Sequence, residues 1–139
     1  MRALGLDVGE RRIGVALSDA EGILAVALTV IETKSDDDAL RQIIALAHEY
    51  EVERIVVGLP LSLDGSLGPQ AQKVRSFTEL LEGCTELPVV AWDERYSTAD
   101  AERVLVEAGV RRDKRKKRID SVAAAFILQS YLDRERSDK

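Results

Sequence analysis

The 139-residue sequence is poor in the residues that build several common classes of site. Its one cysteine, Cys84, excludes an intrachain disulfide, and with a single histidine there is no ligand set for a Cys/His zinc site. We expect His48, on a predicted polar helix face, to be a solvent-exposed histidine rather than half of a nucleophile–histidine pair. Aromatic residues make up 4% of the chain, too few for a base-stacking platform to dominate nucleic-acid binding. If the chain is catalytic, we therefore expect carboxylates to be its chemical groups.

Long apolar runs are also missing. No stretch reaches the ~18 apolar residues that a membrane helix needs, and Asp7 falls where a signal peptide would keep its apolar stretch. The sequence therefore predicts a soluble, cytoplasmic protein without a membrane partner. Its length fits a single domain over residues 1–139, and 45% apolar residues suffice for a core.

Apolar patterning predicts an α/β fold with a five-stranded mixed sheet and helices on both faces. Three strands meander first, and strands then alternate with helices, which is the order expected of such a sheet. The predicted strands are residues 2–8, 13–18, 23–32, 54–58 and 88–94. The predicted helices are residues 36–50, a helix from Pro69 through Leu81, a helix capped by Ser97 or Thr98 and ending near 108, and residues 119–134.

Acidic residues stand at the ends of several predicted elements. Asp7 ends the first strand, Asp93 and Glu94 end the fifth, and Asp120 opens the last helix. Strand ends and helix starts meet at one edge of a parallel sheet, so these acids could converge. Three carboxylates suit two Mg²⁺ or Mn²⁺ ions about 3.5–4 Å apart, a pair that can hydrolyse a phosphodiester. Structural alternatives stay open: a turn for Asp7, pairing with Arg95 for Asp93 and Glu94, and helix-dipole stabilisation for Asp120.

The charge is strongly polarised along the chain. Residues 111–118 hold seven basic and one acidic residue, whereas the other 131 hold 13 basic and 24 acidic ones. The cationic run adjoins Asp120 and suits a polyanionic substrate, although a solvated linker has the same composition.

Four ordered motifs resemble one family. They are residues 4–19; 57–61 with 64–65 and 68–71; 93–95 with 97–98; and 119–120 with 123–124 and 127–129. Together they resemble the YqgF family, a bacterial family similar to Holliday-junction resolvases and described as pre-16S rRNA nucleases. The resemblance covers nearly the whole chain and implies a ribonuclease H-like fold.

The resemblance also implies roles for particular residues. The catalytic, metal-binding acids would be Asp7, Glu94 and Asp120, with Asp93 as the alternative to Glu94 because neighbouring strand residues face opposite ways. The nucleic-acid-binding residues would be basic side chains of the first turn, of the segment after the fifth strand and of the cationic run: Arg11, Arg12, Arg95, Arg111, Arg112, Lys114, Arg115, Lys116, Lys117 and Arg118.

The expected function is a hydrolase, a divalent-metal-dependent endonuclease that matures the 5′ end of pre-16S rRNA. Its partners would be structured RNA or branched DNA, and ribosomal precursor particles, bound by a monomer or homodimer. Two alternatives are a Holliday-junction resolvase acting on branched DNA and a non-catalytic nucleic-acid-binding factor in transcription or ribosome assembly. The hairpin around Asp7 and Gly9 also resembles the phosphate loop of actin-like ATPases, but those proteins need a second related domain.

Overall fold

The computed structural model describes residues 1–62, 64–93 and 112–137, and for residues 112–119 the backbone alone. Its strands are β1 (Ala3–Val8), β2 (Arg12–Ser18), β3 (Ala25–Glu32), β4 (Arg54–Leu59) and β5 (Val89–Asp93). The helices in this part of the chain are α1 (Asp36–Glu49), α2 (Pro69–Glu82) and α3 (Arg112–Ser137).

The strands form one mixed sheet in the order β3-β2-β1-β4-β5. The first three strands are antiparallel neighbours, whereas β4 and β5 run parallel to β1. The predicted mixed sheet is confirmed. The third strand begins at Ala25 rather than at 23, because the amides of Ile23 and Leu24 donate to Asp19 Oδ1 at 2.7 and 3.4 Å and close the preceding turn.

Strand alternation divides the core between the two faces of the sheet. Leu4 and Leu6 of β1 are buried with apolar residues of α1 and α2. Ala3 lies on the other face with the buried residues of α3. A Cβ built on Gly5 would lie 2.7 Å from Leu128 Cβ, so the glycine lets α3 pack close to the sheet. Helices on both faces are confirmed.

Helix α1 begins as its sequence predicts. The hydroxyl of Ser35 accepts a hydrogen bond from the Asp38 amide at 3.1 Å, and three aspartates occupy the first turn. Both features stabilise the positive end of a helix. His48 near the end of α1 is exposed, as predicted. Cys84 after α2 is exposed as well.

The predicted start of the last helix is wrong. The helix begins at Arg112, not at 119, so most of the cationic run is helical and Asp120 lies well inside α3. Lysine and arginine are good helix formers, but a run without apolar spacing carries no amphipathic signal. The helix predicted from Ser97 or Thr98 to 108 lies outside the described residues. Among those that are described, no helix combines the length and apolarity needed to cross a membrane.

Candidate metal and nucleic-acid site

The end of β1 directs Asp7 to the face that α3 covers. Residues Ala3, Gly5 and Asp7 alternate along the strand and share one face. Ala3 packs under α3, and Gly5 contacts it directly. Asp7 is half-buried and pairs in the sheet register with Gly14 of β2. Its carboxylate therefore stands at the end of the sheet beneath α3.

Gly14 brings the backbone of Asp120 against the sheet. A Cβ built on Gly14 would lie 1.7 Å from the carbonyl oxygen of Asp120 and 2.1 Å from its carbonyl carbon. No side chain fits at position 14, so the backbone of α3 packs directly against the backbone of β2 at this point. Because Gly14 is the cross-strand partner of Asp7, the contact sets Asp7 and Asp120 side by side. The sequence carried a signal for this contact, since a glycine within a strand often marks close backbone approach.

The carboxylate of Asp120 is paired with Arg12. Arg12 Nε lies 2.8 Å from Asp120 Oδ2, with 22% of the Asp120 side chain exposed. Oδ2 itself is closed to solvent, and within the described part of the chain no donor is aligned with it as a regular hydrogen bond. Burial raises the pKa of Asp120 above its usual value, and the positive charge of Arg12 opposes that rise. Asp120 therefore presents a desolvated oxygen that favours a cation.

At the end of β5, strand alternation assigns a face to Asp93, one of the two candidate acids. Trp92 packs with the α3 side, where its indole N–H donates to Ser130 Oγ at 3.1 Å. Asp93, the next residue, is exposed and pairs in register with Leu59, which packs in the α1 and α2 core. Asp93 thus belongs to the face opposite Asp7. Glu94 lies outside the described residues.

The acids that are described suit a hard divalent cation but do not make a complete site. Within residues 1–62, 64–93 and 112–137, no group of three or more His, Cys, Asp or Glu side chains could hold a metal ion. Asp7 and Asp120 supply carboxylate oxygens, the donors that Mg²⁺ and Mn²⁺ prefer. The buried Oδ2 of Asp120, which lacks an aligned donor, fits such an ion.

The structure describes some of the predicted nucleic-acid-binding residues and not others. Arg11 is exposed in the turn after β1, whereas Arg12 is engaged with Asp120. Arg95 and Arg111 lie outside the described residues. The others occupy the first turns of α3, where only the backbone is described: Arg112, Lys114, Arg115, Lys116, Lys117 and Arg118.

The sequence did not single out two polar residues of α2 beside the first turn. With Arg11, Gln70 and Lys73 line an open cleft of about 580 Å³. Gln70 Nε2 donates to the Val8 carbonyl at 3.4 Å, and Lys73 Nζ lies 3.4 Å from Glu10 Oε1. Only the contact of α2 with the end of β1 reveals them, because their partners Val8 and Glu10 lie 62 and 63 positions away in sequence.

This architecture defines a class of protein. A five-stranded mixed sheet in the order 3-2-1-4-5, with helices on both faces, is the ribonuclease H-like fold. A family model for RuvX, described as Holliday junction resolvase, matches residues 1–134. The chain belongs to this family, which confirms the resemblance drawn from the four motifs.

Curated relatives match almost the whole chain. A protein of Symbiobacterium thermophilum is 54% identical over 133 residues, covering 96% of this chain and 92% of its own. One of Halothermothrix orenii is 53% identical over 133 residues, covering 96% and 95%. Both carry the name "Putative pre-16S rRNA nuclease".

Solved structures with the same fold are more distant in sequence. Thermus thermophilus RuvC in complex with a Holliday junction substrate has a TM-score of 0.63 at 16% identity, covering 99% of this chain and 96% of its own. The fowlpox virus resolvase with Holliday junction DNA has a TM-score of 0.57 at 12% identity, covering 97% and 99%. At these identities the likeness establishes the fold.

Proposed function

We propose that this chain is a divalent-metal-dependent endonuclease that matures the 5′ end of pre-16S rRNA in the cytoplasm. The main support is the close contact between Gly14 and the backbone of Asp120. Since Gly14 pairs with Asp7, this contact brings together two acids that are far apart in the sequence, at one end of the sheet. The family supplies the nuclease class, and the names of relatives about 50% identical supply the substrate.

In this proposal Asp7, Asp120 and Glu94 hold two Mg²⁺ or Mn²⁺ ions. The position of Asp93 on the opposite face supports Glu94 as the third ligand, and Asp93 is the alternative. When bound, two such ions supply Lewis-acid stabilisation of the attacking and leaving oxygens of a phosphodiester. The role of the chain is to fix the carboxylates: β1 holds Asp7, and the contact with Gly14 holds the backbone of Asp120.

The remaining assigned residues, other than Arg12 with its ion pair to Asp120, bind the nucleic acid. Basic residues 112–118 of α3 lead directly to Asp120, so a phosphate backbone bound along them reaches the acids. Arg11, in the turn after β1, lines a cleft together with Lys73 and contacts the nucleic acid from there. Arg95 and Arg111 complete the set. A precursor ribosomal particle would supply structured RNA in the required conformation.

The test is cleavage by the purified protein with Mg²⁺, with Mn²⁺ and with a chelator. A segment spanning the 5′ end of pre-16S rRNA and a four-way DNA junction serve as parallel substrates, and Asp7→Asn is the inactive control. We expect metal-dependent cutting of the RNA that Asp7→Asn abolishes while binding persists. Cutting that survives both chelator and Asp7→Asn would refute the proposal.

The family description favours a second candidate, a Holliday-junction resolvase. Two symmetric cuts in a junction suit a two-fold homodimer, whereas single-site RNA cleavage is open to a monomer. Paired cuts in the DNA junction, with intact RNA, would select this candidate. Tight binding of either substrate without metal-dependent cutting would instead select a non-catalytic assembly factor.

A further inference from the structure

We infer, on the basis of the proposed function, that Arg12 is the counter-ion of Asp120 when no metal is bound. A divalent cation must then displace the Arg12 side chain to bind Asp120. The guanidinium lies beside Asp120 Oδ2, a carboxylate oxygen that a divalent cation would also require. Arg12 is therefore a positioning residue that sets the affinity of the site for metal. This role differs from the direct phosphate contact that its place in the first motif suggests.

The first support is that the backbone fixes the pair. Arg12 precedes Gly14 by two residues on β2, so both face α3. Contact between Gly14 and the backbone of Asp120 sets that side chain within reach of Arg12, and the two groups meet at 2.8 Å. A carboxylate this desolvated is costly without a positive neighbour. The metal-free fold therefore gains stability from the arginine.

The second support is that arginine and metal compete for one oxygen. A guanidinium at 2.8 Å from Oδ2 and a divalent ion coordinated to the same atom would be a few ångströms apart. Like charges at that distance repel strongly in a partly desolvated site. Oδ2 of Asp120 can therefore bind either the guanidinium or the metal ion, and metal binding requires the Arg12 side chain to leave.

The third support is that Arg12 is free to move. Its side chain is 35% exposed, and its contact with Asp120 is not aligned as a regular hydrogen bond. Arg54, on the same face of the sheet and nearly as exposed at 29%, makes more contacts. Its guanidinium lies over the Tyr131 ring at 5.9 Å, donates to the Tyr131 hydroxyl, and lies 3.6 Å from Glu135 Oε1. These contacts hold Arg54 against α3, whereas Arg12, which makes one side-chain ion pair within the described part of the chain, can turn into solvent without unpacking the core.

The test measures Mn²⁺ binding to the full chain, by calorimetry and by the electron paramagnetic resonance signal of free Mn²⁺. We compare wild type with Arg12→Gln, and with Arg11→Gln as the matched control. The control removes the same charge one residue away, in an exposed turn. We expect Arg12→Gln to bind Mn²⁺ roughly tenfold more tightly, since it loses a competing ion pair and a cation–cation repulsion. The affinity of Arg11→Gln should stay within about twofold of wild type, because exposed charges are screened.

Thermal unfolding supplies a readout that does not depend on activity. With chelator, Arg12→Gln should unfold at a lower temperature than wild type, because Asp120 loses its counter-ion. Saturating Mn²⁺ should then raise its unfolding temperature by more than it raises that of wild type. If Arg12→Gln does not fold, Arg12→Lys is measured instead. The lysine side chain is shorter and its ammonium group is more strongly hydrated, so it should pair less well with Asp120. Arg12→Lys should therefore bind Mn²⁺ more tightly than wild type, but by less than Arg12→Gln.

Unchanged or weaker Mn²⁺ binding by Arg12→Gln, in a folded protein, would overturn the inference. Equal tightening in Arg11→Gln would also overturn it, because the effect would then reflect net charge alone. Asp7→Asn and Asp120→Asn separate this failure from failure of the proposed function. If neither variant weakens Mn²⁺ binding, the proposed metal site itself is wrong; if both do and Arg12→Gln has no effect, only the role of Arg12 is wrong.

Discussion

Substituting Gly14 by alanine is the sharpest perturbation of the contact that assembles the site. The added Cβ would lie 1.7 Å from the Asp120 carbonyl oxygen and 2.7 Å from the Ser121 amide nitrogen. Both atoms belong to the helix backbone, so no side-chain rotation relieves the clash. Helix α3 must shift away from β2 by more than an ångström around Asp120.

The cost follows from the rigidity of the packed helix. Overpacking a core costs typically about 1–3 kcal/mol, and clashes with backbone fall at the upper end or beyond it. We expect Gly14→Ala to lose about 3 kcal/mol or more of unfolding free energy, which lowers the unfolding temperature by roughly 10 °C for a domain of this size. Affinity for Mn²⁺ should fall as well, because Asp120 moves away from Asp7.

Urea denaturation and calorimetry measure the loss, with Gly83→Ala as the matched control. Gly83 has φ of −73° in a helical conformation, and a Cβ added there would make an ordinary 3.5 Å contact with the Leu80 carbonyl oxygen. That substitution should be neutral or stabilise by up to about 1 kcal/mol. A Gly14→Ala protein within about 1 kcal/mol of wild type, with unchanged Mn²⁺ affinity, would refute the packing of α3 against β2.

Three further outcomes are expected. Leu128→Ala should cost about 2–5 kcal/mol in urea denaturation, because this side chain is fully buried between α3 and the sheet. Burial raises the pKa of Tyr131 above its usual value of about 10, so the unfolded chain loses the phenolic proton at a lower pH than the folded protein does. The free energy of unfolding should therefore fall as the pH rises through that value. Tyr131→Phe should remove this loss of stability in unfolding measurements between about pH 9 and 11. Joint replacement of Arg115, Lys116 and Lys117 by glutamine should weaken binding equally across sequences and reduce its salt slope by about 2–3, as filter binding at several salt concentrations can show.

The fold could be predicted because each strand carries its own pattern. In β1, Leu4 and Leu6 alternate with Ala3 and Gly5, which assigns a face to every residue, including Asp7. The meander of three strands followed by alternating strands and helices then allows few topologies. Family motifs spread along the chain pointed to the same fold.

The start of α3 and the geometry of the candidate site could not be predicted, because they depend on features that leave no local pattern in the sequence. The start of α3 was placed too late because its cationic turns carry no apolar periodicity that marks a helix. The pair of Arg12 with Asp120 joins residues more than a hundred positions apart, and only the docking of α3 on Gly14 makes it. In isolation Arg12 resembles any exposed arginine of a hairpin.

The central claim is that Asp7, Asp120 and Glu94 perform the chemistry. The most direct measurement is the Mg²⁺-dependent cleavage rate of wild type, Asp7→Asn, Asp120→Asn, Glu94→Gln and Asp93→Asn, each shown to be folded and to bind substrate. We predict that the first three variants fall to the rate seen with chelator, while Asp93→Asn, on the opposite face of β5, cleaves at nearly the wild-type rate. Cleavage retained by Asp7→Asn or Asp120→Asn would contradict the account.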